Sequence, residues 1–385
     1  MKKFKAGLVG RIIIAMALGV FLGEYLPLKV IRAFSTFNAL FSEFLGFIIP
    51  LLIVGLVAPA IADIGKKAGR LLLGTTLLAY IATLISGFAS YFTAAGTFPS
   101  LIVAGAMSQS FGEAANAAPY FNIAIPPLMG VMTALILAFV LGLGMAQQAG
   151  GSLHAVFNDF RDIIYRTIGC VIIPVLPLFI FGIALNMAYS GQAAEIMSVF
   201  IKIIGVIFLL HIGVLLFQYG AAGLIARRNP LALLFRMLPA YFTALGTQSS
   251  AATIPVTLRQ TIANGVNKDV AGFVVPLCAT IHLSGSTLKI VACACAIMMM
   301  KGTPVDFATM AGFIFMLGVV MVAAPGVPGG AIMAALGVLQ SMLGFGENEQ
   351  ALMIALYITM DNFGTACNVT GDGALAIIVN KFYKS

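Results

Sequence analysis

Long apolar runs with hardly a charge in them constrain this chain more than any other feature. They lie near residues 8–26, 38–62, 70–95, 120–149, 160–189 and 197–226. A helix that crosses a bilayer needs about 20 apolar residues, and inside hydrocarbon it must satisfy its own backbone polar groups. Runs of this length and number predict an all-α polytopic membrane protein. Composition agrees, with 61% of the 385 residues hydrophobic and 9% charged. A soluble domain carries about 25% charged residues, so a water-soluble globule is excluded. So is a disordered chain, which needs low hydrophobicity. The net charge of +8 would raise nucleic acid in a soluble protein. Here the basic residues flank the spans, and the expected surroundings are the lipid bilayer, with no nucleic-acid partner. Cys170, Cys278, Cys293, Cys295 and Cys367 all sit in apolar stretches without zinc-ligand spacing, and read as reduced packing residues. Lys2, Lys3 and Lys5 precede an apolar run without a clear small-residue cleavage site, so no cleavable signal is expected.

Beyond residue 230 the pattern changes. Residues 231–265 and 305–345 are apolar but broken in the middle. A span near 269–300 separates them, and 347–382 forms a last one. The first break is Gly246-Thr247-Gln248-Ser249-Ser250-Ala251-Ala252-Thr253-Ile254-Pro255. The second is Ala324-Pro325-Gly326-Val327-Pro328-Gly329-Gly330-Ala331. A kink needs one Pro or Gly rather than a loop of this length, so both segments read as re-entrant hairpins. Each is followed by a span, giving inverted repeats that enter from opposite sides. Irregular backbone at membrane depth survives only where it is buried or lines a cavity. Interrupted segments in two halves point to a transporter binding site. Hairpin tips bring helix N-termini and free N–H groups to the midplane, which suits a carboxylate. Ser249 and Ser250 add hydroxyls. The span 269–300 is itself interrupted at Ser284-Gly285-Ser286, where freed carbonyls suit an ion.

The basic residues set the topology. Lys2, Lys3, Lys5, Arg11, Lys66, Lys67, Arg70, Arg161, Arg166, Arg227, Arg228, Arg259, Lys268, Lys381 and Lys384 fall on one side if 231–265 is re-entrant. Lys29, Arg32, Lys301 and, near an edge, Lys202 fall on the other. By the positive-inside rule both termini are expected to be cytoplasmic, in a multi-pass protein of the inner membrane.

A charge at the bilayer centre costs about 2.5–3.5 kcal/mol and marks function by default. The deep candidates are Asp361, Asp372, His282 and Lys289, with Glu43 and His211 read as packing groups. Asp361, Thr365, Asn368 and Asp372 are spaced 0, +4, +7 and +11, one continuous helical stripe. Two carboxylates with hydroxyl and amide between them suit an amine plus an ion; a structural hydrogen-bond network is the plainer alternative. His282 and Lys289 lie seven apart. Pairing with an aspartate explains Lys289 as well as contact with substrate does.

These motifs resemble those of the dicarboxylate/amino acid:cation symporters, the glutamate-transporter family. The resemblance covers nearly the whole chain and is sharpest over 240–375. It rests on Gln248 to Thr257 (QSSAATIPVT), Pro276 to Ile281 (PLCATI), Gly326-Val327-Pro328-Gly329 and Asn368-Val369-Thr370-Gly371-Asp372. The Ser-Ser-Ala-Ala tip is closest to the serine/threonine branch. The resemblance implies eight transmembrane helices plus two re-entrant hairpins, usually as a homotrimer, working as an elevator. Residues 1–69 and 97–190 then form a scaffold, while 70–96, 191–230 and the core 231–385 form the transport domain. Asp361 falls where the family binds the substrate amine. Asn368 and Ser250 fall where it holds the carboxylate, with second-hairpin backbone around Val327 and Gly329. Ser249, Ser286, Gly364 and Thr365 complete the implied pocket. Cys278, Thr280, His282, Asn368 and Asp372 fall in the region of ion or proton coupling.

This chain departs from the family in two places. Gly364 stands where acidic-substrate members carry an arginine, which removes a bidentate clamp. Retained Asp361 argues against pure C4-dicarboxylates, so a small neutral amino acid is the simplest substrate. In a competing reading Lys289 supplies the missing cation as a point charge, for an acidic amino acid or dicarboxylate. The family's Asn-Met-Asp-Gly-Thr motif reads His282-Leu283-Ser284-Gly285-Ser286. Its sodium-binding aspartate is thus Ser284, and Tyr80 and Thr83 match what is left of that site. Hard cations want charged oxygen ligands, whereas histidine titrates near pH 7. His282 is therefore expected to pair with Asp372 and carry a proton. The expectation is a symporter, not an enzyme, coupled to Na+ or H+ and using no other cofactor. An uncoupled facilitator of the same fold is the main rival. A hydrolase built on Ser250 and His282 lacks the Gly-x-Ser-x-Gly elbow.

Overall fold

The structure, a computed structural model, describes residues 8–66, 70–102, 117–148, 151–191, 193–324 and 328–382. Val327, expected in the pocket, lies outside them. All regular structure among the described residues is helical. The first half comprises α1 (Leu8–Gly23), α2 (Leu28–Lys66), α3 (Arg70–Thr97), α4 (Val131–Gln147), α5 (Ser152–Thr167), α6 (Ile173–Tyr189) and α7 (Ala193–Ala226). A five-residue π-helical turn, Ile168–Ile172, joins α5 to α6.

Among the described residues, five stretches are long and apolar enough to cross a membrane: Leu28–Ala62, Leu71–Ser100, Ser152–Tyr189, Ser198–Ala226 and Lys268–Lys301. Shorter apolar helices cover Gly10–Gly23, Ile136–Gln147, Phe307–Ala323 and Gly330–Leu343. The run expected over 120–149 is helical only from Val131. Pro126 and Pro127 explain the late start, since proline lacks an N–H and disfavours helix in the residue before it. Side chains of α2 satisfy this segment instead: Tyr120 N–H donates to Thr36 Oγ1 at 2.8 Å and Ile125 N–H to Glu43 Oε2 at 2.8 Å.

The second half is built twice. The first hairpin is α8 (Pro230–Thr247) and α9 (Ser250–Ala263), followed by α10 (Lys268–Ile281) and α11 (Ser284–Lys301). The second is α12 (Phe307–Ala323) and α13 (Gly330–Leu343), followed by α14 (Glu347–Thr359) and α15 (Asp361–Phe382). Helix lengths run 18, 14, 14 and 18 residues in one unit and 17, 14, 13 and 22 in the other. The match exposes a break at Met360 that the sequence reading missed: the last span is interrupted just where its counterpart is. The tips follow from local chemistry. Gln248 closes α8 in the left-handed region at φ 54°, and the Ser249 hydroxyl caps α9 by accepting from Ala252 N–H. Gly329 opens α13 at φ 74°, a conformation that costs glycine little and other residues much.

In the packing, α2 lies against α4, α5 and α6, and α1 against α6. Helix α15 is the hub of the other half, touching α7, α8, α9, α10 and α11, while α3 packs on α11 and α12. A cavity of about 390 Å³, lined by Glu43, Gln340, Glu347 and Gln350 among others, lies between α2, α13 and α14. Helix α11 is buried from Ser284 to Met298 and α15 over most of its length. Their charged residues therefore need partners close by.

Candidate substrate and ion site

A buried ion pair, Lys289 with Asp361, and a buried His282–Asp372 hydrogen bond lie where α11 meets α15. At the start of α15, the Lys289 ammonium donates to Asp361 Oδ1 at 3.2 Å and to the Met360 carbonyl at 3.3 Å. It also sits 3.7 Å from the centroid of the Tyr357 ring, a cation–π contact. The other carboxylate oxygen, Oδ2, accepts the Gly329 N–H of the second hairpin tip at 2.8 Å. The Met360 carbonyl at that break is shared, because it also accepts the Phe363 and Gly364 N–H groups of the first turn of α15 at 3.2 Å each. Lys289 is fully buried, and its room comes from Gly364. A Cβ there would stand 2.5 Å from both Cε and Nζ of Lys289.

Three turns along α15, His282 Nδ1 meets Asp372 Oδ1 at 2.9 Å. His282 occupies the break between α10 and α11. Its Nε2 faces Gln218 Nε2 of α7 at 3.3 Å, and that amide also donates to Ser284 Oγ at 3.2 Å. Asn368 joins the two pairs. Its Oδ1 accepts the Gly285 N–H at 2.8 Å and the Ser286 N–H at 3.4 Å, and its Nδ2 donates to Ser286 Oγ at 3.1 Å. Tyr357 Oη donates to the same serine oxygen at 2.9 Å. The first N–H groups of α11 would otherwise be orphaned, and the asparagine of the stripe caps them.

The structure brings Asp361, Gly364, Asn368, Asp372, Ser286, His282, Lys289 and Gly329 into this one buried cluster. Thr365 is buried one turn past Asp361. Ser249 and Ser250 lie at the first tip, on α9, which packs against α15. Thr247 Oγ1 and Thr253 Oγ1 lie 2.9 Å apart and brace that tip. Cys278 is buried at the end of α10, and its carbonyl accepts the His282 N–H at 2.8 Å. Thr280 is a different case. It is exposed, and its hydroxyl donates to the Leu277 carbonyl of its own helix at 2.8 Å. Thr280→Val is therefore expected to change stability by no more than about 0.5 kcal/mol and to leave ion dependence of uptake unchanged. Tyr80 Oη donates to the Phe315 carbonyl at 3.2 Å and Thr83 Oγ1 to that of Ala79 at 2.9 Å. The first ties α3 to α12, and the second lies within α3.

Sequence reasoning missed Gln218, Tyr357 and the part played by His211, whose Nε2 lies 3.2 Å from the Gly285 carbonyl. A signal was present. His211 and Gln218 are polar residues seven apart in a mostly apolar span, hence on one helical face. Tyr357 carries no such mark.

The chain matches the sodium:dicarboxylate symporter family over residues 8–382. It is 29% identical to the serine/threonine transporter SstT of Acinetobacter baumannii, over 96% of this chain and 95% of that protein. It is 26% identical to the serine/threonine transporter SstT of Acinetobacter baylyi, over 99% and 98%. Human excitatory amino acid transporter 2 is 27% identical across 65% of this chain and 44% of its own length. The two interrupted halves, the buried polar stripe and a family match along nearly the whole length converge, and the chain belongs to the sodium:dicarboxylate symporter family, whose members are transporters and not enzymes.

Proposed function

We propose that this protein is a secondary active symporter that moves a small neutral amino acid, serine or threonine, across the inner membrane. The observation that carries this reading is the cluster of Asp361, Asn368 and the Gly329 N–H. It holds a carboxylate of the kind that takes an ammonium, braced by the hairpin-tip N–H, with the Asn368 amide close by. The full-length similarity to serine/threonine transporters supports the choice of substrate. Lys289 is bound to Asp361 and packed on Gly364, which counts against its use as a free cation for an acidic side chain. The movement is an elevator: α3 and α7–α15 slide against α1, α2 and α4–α6, within a homotrimer. The second hairpin is the gate, because its tip N–H binds the same carboxylate as the substrate amine.

Coupling is to protons, through His282 and Asp372, in place of part of the family's sodium set. Gln218 supports this assignment. One edge of its amide donates to imidazole Nε2; turned over, its oxygen would accept from a protonated ring. The same three side chains thus satisfy both protonation states. Uptake of labelled serine and threonine into sodium-free proteoliposomes tests the reading. One unit of inward pH gradient should drive about tenfold accumulation per proton, and a protonophore should collapse it. Equilibration without accumulation would mean a facilitator, and an absolute need for sodium would return the coupling to the family norm. His282→Asn should abolish dependence on the proton gradient while serine binding survives; unchanged coupling in that variant would sink the assignment.

A further inference from the structure

The ammonium site at Asp361 is already full. Carboxylate oxygen at 3.2 Å, carbonyl oxygen at 3.3 Å and aromatic face at 3.7 Å are what an amine needs, and the chain's own Lys289 occupies all three. We infer that Lys289 is a tethered stand-in for the substrate amine. It neutralises Asp361 whenever the site is empty, so that the empty transport unit returns across the membrane without a counter-transported cation. The inference rests on the amino-acid reading above, and it concerns the step that reading leaves out.

The physical argument begins with the return step. A carrier that has released its substrate must bring its binding site back through hydrocarbon. An unpaired carboxylate there is expensive, and the Gly329 N–H alone does not cancel its charge. Lys289 does, at full burial. The same carboxylate holds the second hairpin tip through Oδ2, so a filled ammonium site and a seated tip go together even without substrate. Glycine at position 364 is the steric condition for the device, because any side chain there would overlap the lysine's Cε and Nζ. Lysine also suits the exchange of partners. Its charge is compact and rides on a flexible four-carbon stem, so an arriving substrate amine can displace it from Oδ1.

The test separates net transport from exchange. Lys289→Met is reconstituted, and labelled serine uptake is measured into empty vesicles and into vesicles preloaded with unlabelled serine. Exchange needs only the loaded carrier to cross, whereas net uptake needs the empty one to return. The expected result is a fall of at least about tenfold in the ratio of net uptake to exchange, since an uncompensated charge worth about 1.4 kcal/mol suffices for that factor. A loss of packing alone would lower both rates by the same factor, and that outcome overturns the inference. Lys289→Ala should regain net uptake when ethylammonium is supplied on both sides of the membrane; no rescue in a variant that still exchanges serine also counts against it. If neither variant yields monodisperse protein, the wild type decides. Its net uptake should be undiminished with N-methylglucamine as the sole internal cation, and dependence on an internal alkali cation overturns the inference. A wild type that carries no serine or threonine in either assay would instead remove the amino-acid reading itself.

Discussion

Asp361→Ala is expected to abolish serine binding and to destabilise the protein by about 3–5 kcal/mol, the cost of leaving one partner of a buried ion pair alone. The lysine is the reason for the size of the effect. Its side chain is fully buried against α15, with the Met360 carbonyl and the Tyr357 ring as its other neighbours. Losing Asp361 also orphans the Gly329 N–H, about 1–3 kcal/mol for a buried donor. The two penalties share one site and will not simply add. Thermal unfolding in detergent measures the change. The double variant Asp361→Ala with Lys289→Met should recover much of the stability, because replacing both members of a buried pair is often neutral. It should not recover binding. A single variant that melts like the wild type would mean that the pair does not hold α11 to α15.

Gly285→Ala is expected to cost about 1–3 kcal/mol through overpacking and to weaken serine binding by about 5–150-fold. The added methyl would stand 2.7 Å from Cys367 Cβ and 2.7 Å from the Gly364 carbonyl oxygen. Neither can turn aside as a flexible side-chain end would, so α11 must move off α15. That movement stretches the bonds from Asn368 to the Gly285 and Ser286 N–H groups, and with them the alignment of the Lys289–Asp361 and His282–Asp372 contacts. Gly46→Ala is the control, since a Cβ there meets nothing within 4 Å. Equal binding in the two variants would show that close approach at Gly285 is not needed.

Much of this was legible in the chain. Spans follow from apolar length because the bilayer core leaves helices few alternatives. The two hairpins follow from runs of small and polar residues too long to be kinks. The stripe from Asp361 to Asp372 follows from helical period alone, and the structure keeps all four residues on α15. What failed was local. The sequence run over 120–149 hid the effect of two adjacent prolines, and the break at Met360 has no proline or glycine to announce it. Thr280 shares a motif with Cys278, yet two residues along a helix differ by some 200° in direction, and one is buried while the other is exposed.

Membrane residence, helical class, the doubled interrupted unit and the types of residue at the site were all determined by the sequence, since each depends on composition, period or spacing within one segment. Which charge faces which was decided only by the tertiary structure. Lys289 lies 72 positions from Asp361, and His282 lies 90 from Asp372. Pattern within a helix says only that such charges need partners. Whether Lys289 reaches a substrate or a neighbour depends on the room that the missing side chain at Gly364 leaves for it, and that room exists only once α11 and α15 are packed together.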